Sequence, residues 1–253
     1  MNKAIKKIIV LFLGLFLAAV IFIVFIDIQF DNKQLSPIFF QNQSHKFWAH
    51  KGYTSGNESY LTNHLQQALH DGVIGVELDV YFSIELQRLL VVHDFPIKDT
   101  IFLDEYIAPV RNKLKYWFDL KNLNNTDVTQ VAKAFFKLNQ QFNLNLQFII
   151  ESKEATKLGE LSKQGFYTCF WINTPDKKNQ FNYYYRNFRN KYGIVFNHFN
   201  AISMPFYVYQ TNEYKAYKHL PIHTWVDNKT LQMEKDSILN DNNLKIVLFD
   251  RVE

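Results

Sequence analysis

The chain has 253 residues, of which 47% are hydrophobic and 17% aromatic, enough to fill the core of one large domain or two small ones. Its formal charge of +4 comes from scattered lysines and arginines; with no basic stripe, no nucleic-acid partner is expected, which leaves anionic substrates or a membrane surface. Cys169 is the only cysteine and there are eight glycines, so the chain has no intramolecular disulfide, no thiolate metal cluster and no Gly-rich phosphate loop.

The first 30 residues, MNKAIKKIIVLFLGLFLAAVIFIVFIDIQF, place Lys3, Lys6 and Lys7 before an uncharged apolar run of 19 residues, Ile8 to Ile26. At 1.5 Å per residue such a run crosses a hydrocarbon core of ~30 Å. It is longer than the apolar region of a cleaved signal peptide and ends in Phe25, Ile26 and Asp27 without a small-x-small site, so residues 1–27 are read as an uncleaved transmembrane anchor. A buried core helix is the alternative, but such helices are amphipathic and this one is apolar all round. The lysines are expected to stay cytoplasmic, giving a single-pass membrane protein whose remaining residues lie on the extracytoplasmic side. Residues 28–44 hold Pro37, show no sustained period and read as a linker.

From residue 45 to 253 short apolar runs alternate with helical patterns, as in repeated β-α units. Strands are expected at KFWAHK, GVELDVYF, KYWFDLK, LQFIIES, FYTCFWI, GIVFNHF (193–199), LPIHTWV and KIVLFD, and helices at 59–72, 126–142, 153–165 and 176–193. Eight strands with helices between them fit a small TIM-type (β/α)8 barrel, with a doubly wound open sheet as the competing architecture. The barrel is expected to act as a monomer. The aromatic stretch NQFNYYYRNFRNKYG reads as the packing face of a helix, with lipid or ligand contact as the other reading.

In such a barrel the chemistry gathers at the C-terminal ends of the strands. FWAHKG would deliver His50 and Lys51 there. In GVELDV, Glu77 and Asp79 are two apart and share one face of a strand. LLVVHD brings His93 and Asp94 to the end of an apolar run 14 residues after Asp79, and FDLK repeats the spacing of two with Asp119 and Lys121. Three carboxylates from two strands suit a hard divalent cation, Mg²⁺ or Ca²⁺. Two histidines with ordinary values near 6.5 supply an acid and a base at neutral pH. The lysines suit an anionic substrate, and together these groups describe metal-assisted attack on a phosphodiester. Glu151, at the end of FIIES, reads as structural, and Asp250 as the residue that closes the last loop. A barrel glycosidase would use Glu77 and Glu151 but leave the histidines and Lys121 idle.

AHKG, then GVELDV, then VVHD resembles the glycerophosphodiester phosphodiesterase family and the wider phospholipase-C-like phosphodiesterases, whose pattern is A-H-R-G, E-x-D-V and V-x-H-D. FDLK is similar to the family's E-x-K strand and HTWVDN to its W-T-V-N strand. The resemblance implies a TIM barrel and a phosphoric diester hydrolase of lipid metabolism acting on glycerophosphodiesters or phospholipid head groups. In it His50 and His93 are general acid and base, Glu77, Asp79 and Asp119 hold the metal, Lys51 and Lys121 face the phosphate, and Trp225 lines the substrate pocket. Three departures stand out: Lys51 replaces arginine, Asp119 replaces glutamate, and only 25 residues separate His93 from Asp119, too few for the family's usual inserted subdomain. They bring in sphingomyelinase-D-like relatives and a catalytically degenerate, membrane-anchored binding or scaffold module as alternatives.

Overall fold

The computed structural model describes residues 3–35, 46–54, 62–92, 101–172 and 179–251. In chain order its elements are α1 (Lys3–Asp31), β1 (Phe47–Ala49), α2 (Thr62–His70), β2 (Gly75–Ser83), β3 (Arg88–Val91), β4 (Ile101–Phe102), α3 (Leu103–Ile107), β5 (Lys115–Leu120) and α4 (Val128–Phe142). There follow β6 (Phe148–Ser152), α5 (Ala155–Lys163), β7 (Tyr167–Trp171), α6 (Gln180–Phe196), β8 (Ala201–Pro205), α7 (Phe206–Tyr209), β9 (Ile222–Val226), α8 (Asn228–Asn240) and β10 (Leu244–Phe249). Eight of these strands pair in parallel in the order β1-β10-β9-β8-β7-β6-β5-β2, and a β1–β2 pairing at Ala49 and Val76 closes the ring. This is the expected (β/α)8 barrel. The antiparallel strands β3 and β4 extend it outward from β2.

Alternation along the strands builds two separate apolar layers. The outward residues, such as Phe118 and Phe148, pack under the helices, where Phe135 of α4 lies 5.5 and 5.7 Å from their ring centres. α4 forms because Val128, Val131, Ala132, Phe135, Leu138 and Phe142 make one apolar stripe, and the Asp127 carboxylate caps it by accepting from the Thr129 and Gln130 amides. The inward residues Trp48, Trp117, Ile149, Tyr167, Cys169, Ala201, Ile246 and Leu248 fill the lower barrel as a second cluster. Gly75 makes room for this filling: a Cβ there would lie 2.3 Å from the Trp48 indole.

One expected strand is corrected. Residues 193–196 of GIVFNHF complete α6, and the strand comes later, at Ala201–Pro205. Ile194 continues the buried side of the helix, and Gly193 lets it approach α5 so closely that a Cβ would sit 3.0 Å from the Ala155 Cβ. Asn197 ends it, its side-chain amide donating to the Gly193 carbonyl.

α1 is 29 residues long, and only Ile26 and Phe30 in it are buried. It continues to Asp31, four residues past the expected end of the anchor. Lys33 beyond it donates to the Val195 and Asn197 carbonyls. Residues 36–44 of the expected linker lie outside the described residues, as does residue 45.

Candidate active site

Each expected site residue within the described part of the chain sits at one end of the barrel, where the strands finish. β2 and β5 are in register with Asp79 opposite Asp119, and β5 and β6 with Asp119 opposite Glu151. Glu77, Asp79, Asp119 and Glu151 are all buried. One ligand oxygen from each of Glu77, Asp79 and Asp119 falls within 4.8 Å of the others. The set is all oxygen, buried and anionic, with no thiolate or imidazole among the three, and so fits a hard divalent cation. Lys121 follows β5 and its ammonium bridges the group, 2.6 Å from Asp79 Oδ1 and bonded to Asp119 Oδ2.

The electrostatics follow from this crowding. Burial, then repulsion from Asp79 and Asp119, pushes the Glu77 carboxyl well above the usual carboxylate range. Burial likewise raises Asp119, against the pull of Lys121. Burial works to lower the Lys121 ammonium, but Asp119, Asp79 and Glu77 outweigh it and hold that ammonium protonated far above the usual lysine range.

His50 follows β1, and its backbone N–H donates to the Phe249 carbonyl of β10 at 2.9 Å. Its Nδ1 lies 2.7 Å from Asp250 Oδ1 and its Nε2 4.0 Å from Glu77 Oε2. The hydrogen bond to His50 holds the Asp250 carboxyl below its ordinary value. A carboxylate on Nδ1 fixes the ring's orientation and aims Nε2 at the carboxylate cluster. Lys51, Gly52 and Tyr53 all take positive φ (47°, 63° and 66°), a turn that swings the Lys51 amide onto Glu77 Oε2 at 2.8 Å. The Lys51 backbone therefore braces the cluster.

Two cavities open beside these groups. One of about 270 Å³ is lined by His50, Trp225, Asp250, Tyr207 and Gln210 among others. The other, of about 190 Å³, is lined by Asp119, Lys121, Lys153, Glu154 and Trp171 among others. Trp171 of the second meets Trp225 of the first in a T-shaped pair with ring centres 5.6 Å apart, and the Lys153 ammonium sits 3.5 Å from the Trp171 ring centre.

His93 and Asp94 lie outside the described residues. Of the two remaining carboxylates, Glu151 keeps the structural reading and Asp250 does more than close the last loop. Glu151 accepts from Trp117 Nε1 at 3.0 Å and from the Ser203 hydroxyl, and burial beside Asp119 raises its carboxyl well above the usual range. Asp250 orients His50, a role that depends on the neighbouring of β1 and β10 across 200 positions of chain.

No family model matches the chain and no curated protein sequence matches it. Solved structures do resemble its fold. A glycerophosphodiester phosphodiesterase from Parabacteroides distasonis superimposes with a TM-score of 0.58 at 16% identity, over 81% of this chain and 92% of that one. For the glycerophosphodiester phosphodiesterase from Agrobacterium tumefaciens the TM-score is 0.53 at 16% identity, over 81% and 96%. An Oleispira antarctica phosphodiesterase, solved in complex with the product sn-glycerol-3-phosphate, gives 0.55 at 13% identity, over 82% and 93%.

Proposed function

We propose that the chain is a membrane-anchored, metal-dependent phosphodiesterase of the glycerophosphodiester phosphodiesterase type, acting on a glycerophosphodiester or phospholipid head group. The observation that carries this reading is the convergence of Glu77, Asp79 and Asp119 within 4.8 Å, with Lys121 and His50 beside them at the open end of the barrel. The fold shared with phosphodiesterases supports it, as does the glycerol phosphate product held by one of them. In the same reading α1, long and apolar enough to cross a membrane, is a single-pass anchor that holds the barrel on the extracytoplasmic side.

In this reading Glu77, Asp79 and Asp119 hold Mg²⁺ or Ca²⁺, which when bound offsets negative charge on the phosphoryl oxygens. Lys121 and the side chain of Lys51 face the same oxygens. His50, its Nδ1 held by Asp250, exchanges a proton through Nε2 with the entering or leaving oxygen, and His93 takes the other proton. Trp225, on the cavity wall with His50, bounds the space for the rest of the substrate.

Lys121 also favours a second reading. An ammonium already bridging Asp79 and Asp119 would neutralise the cluster in a barrel that binds without turnover. The two readings separate in a screen of phosphodiesters with the full chain, with and without Mg²⁺ and Ca²⁺. The enzyme reading expects phosphomonoester or cyclic phosphate release that EDTA and His50→Ala both abolish. Binding without turnover under every cation supports the module instead.

A further inference from the structure

We infer that α6 lies in the headgroup layer of the bilayer and that the groove beside it admits a phosphodiester still carried on a membrane lipid. The inference rests on the anchor and phosphodiesterase readings above and adds an orientation and a substrate class to them.

The orientation comes from how α6 meets α1. Phe22 packs on Phe188 and Tyr192, with ring centres 6.2 and 6.4 Å away; Asp27 bonds Lys191 at 2.7 Å; Lys33 reaches the Val195 and Asn197 carbonyls. Phe22, four residues inside the outer end of the apolar run, and Asp27, just past that end, both meet the 188–192 turn of α6, so this turn lies at the outer boundary of the run. The turns of α6 before Phe188 start from that boundary, the level of the headgroup layer.

Those turns carry exposed aromatics. Phe181, Tyr184 and Tyr185 are 82%, 68% and 52% exposed, at i, i+3 and i+4, and the stripe continues through Phe188 and Tyr192, which cover α1. One aromatic face thus packs on the anchor in its second half and is bare in its first. A water-soluble surface has no use for three such rings in a row, whereas aromatic residues with polar edges settle at the membrane interface.

The same helix walls a cavity of about 480 Å³ against the segment after β6, lined among others by Lys153, Glu154, Tyr185, Arg186, Arg189 and Tyr192. Three cations against one carboxylate favour an anionic group, and the guanidinium fork matches phosphate. Lys153 and Glu154 also line the cavity that holds Asp119 and Lys121. A lipid whose acyl chains stay in the leaflet beside α6 would enter along this basic groove and present its phosphodiester to the carboxylate cluster.

The test uses the full chain in vesicles of phosphatidylcholine and phosphatidylglycerol at about 4:1, an anionic surface. A fluorophore is attached at Tyr184→Cys or, on the opposite side of the barrel, at Gln66→Cys in α2; Cys169 is buried and does not compete. The expected result is quenching by a lipid-borne nitroxide and protection from iodide at position 184, with the reverse at position 66. Equal access of iodide to both positions, in protein that floats with the vesicles, overturns the placement while leaving the anchor standing. Protein that fails to float overturns the anchor and the placement together. The substrate class is read separately, from phosphatidylglycerol and water-soluble glycerophosphoglycerol, which share a head group. Phe181→Ser and Tyr184→Ser combined are expected to slow phosphatidylglycerol cleavage by about tenfold, the loss of roughly 1.4 kcal/mol of positioning, and to leave glycerophosphoglycerol within about twofold. Equal loss on both, or none on either, overturns lipid delivery, and wild-type protein inert toward both overturns the phosphodiesterase reading itself.

Discussion

The lower and upper halves of the barrel interior are built on the same strands, yet two residues along a strand change everything about the chemistry. Trp117 gives way to Asp119, Ile149 to Glu151, Ala201 to Ser203, and Trp48 to His50. The lower half is filled by rings and branched chains so tightly that Gly75 is needed beneath Trp48. The upper half collects four buried carboxylates with Lys121 and His50 to meet them. Stability and function are therefore separated by height, and substitutions at the two levels are expected to show different symptoms.

The largest expected effect is at the top. His50→Ala is expected to lower kcat by about 10³-fold or more, roughly 4 kcal/mol of barrier, with an unchanged melting temperature. Turnover that survives this substitution removes His50 from the chemistry.

Next comes a test of the lower half. Burial, with a smaller push from Lys245, holds the His223 imidazole down to about 3, against an ordinary 6.5. Between those values the unfolded chain takes up a proton that the folded barrel refuses. The His223 contribution is therefore full above 6.5 and falls as pH drops through that window, by up to roughly 4 kcal/mol, while the raised carboxyls of Glu77, Asp119 and Glu151 act in the opposite sense. The difference in urea midpoint between wild type and His223→Leu should therefore change with pH below 6.5, wild type losing ground as pH falls.

Gly75→Ala should cost about 2–3 kcal/mol by overpacking against Trp48, read as a lower denaturant midpoint, while activity per folded molecule stays near wild type. A stable Gly75→Ala would mean that the indole has room to move. The smallest effect crosses the two levels: Asp250→Asn keeps a hydrogen bond to His50 but removes the charge, and is expected to lower kcat by about tenfold with KM little changed. Rescue by Asp250→Glu would mark it as a positioning residue.

Much of this was legible in the sequence where a period of two carried the information. Glu77 with Asp79, and Asp119 with Lys121, declare a shared strand face, and the apolar residues between them declare the other. His50 was legible as the polar end of an apolar strand. Asp250 and Glu151 were not, because each acquires its role from a neighbouring strand whose register local sequence does not encode. The sixth barrel strand was misplaced for a related reason. Ala201-Ile202-Ser203-Met204-Pro205 puts its smallest residues inward, where Ser203 meets Glu151, and so lacks the branched and aromatic signature of a strand. The more apolar Ile194-Val195-Phe196 just before it belongs to a helix.

The carboxylate cluster of Glu77, Asp79 and Asp119 is expected to hold a cation. Calorimetric titration of Mg²⁺ and of Ca²⁺ into the full chain in detergent should show one saturable site for at least one of them, and Asp79→Asn should abolish it without lowering the melting temperature. Absence of binding by the wild type, or binding that Asp79→Asn leaves unchanged, would contradict the central claim.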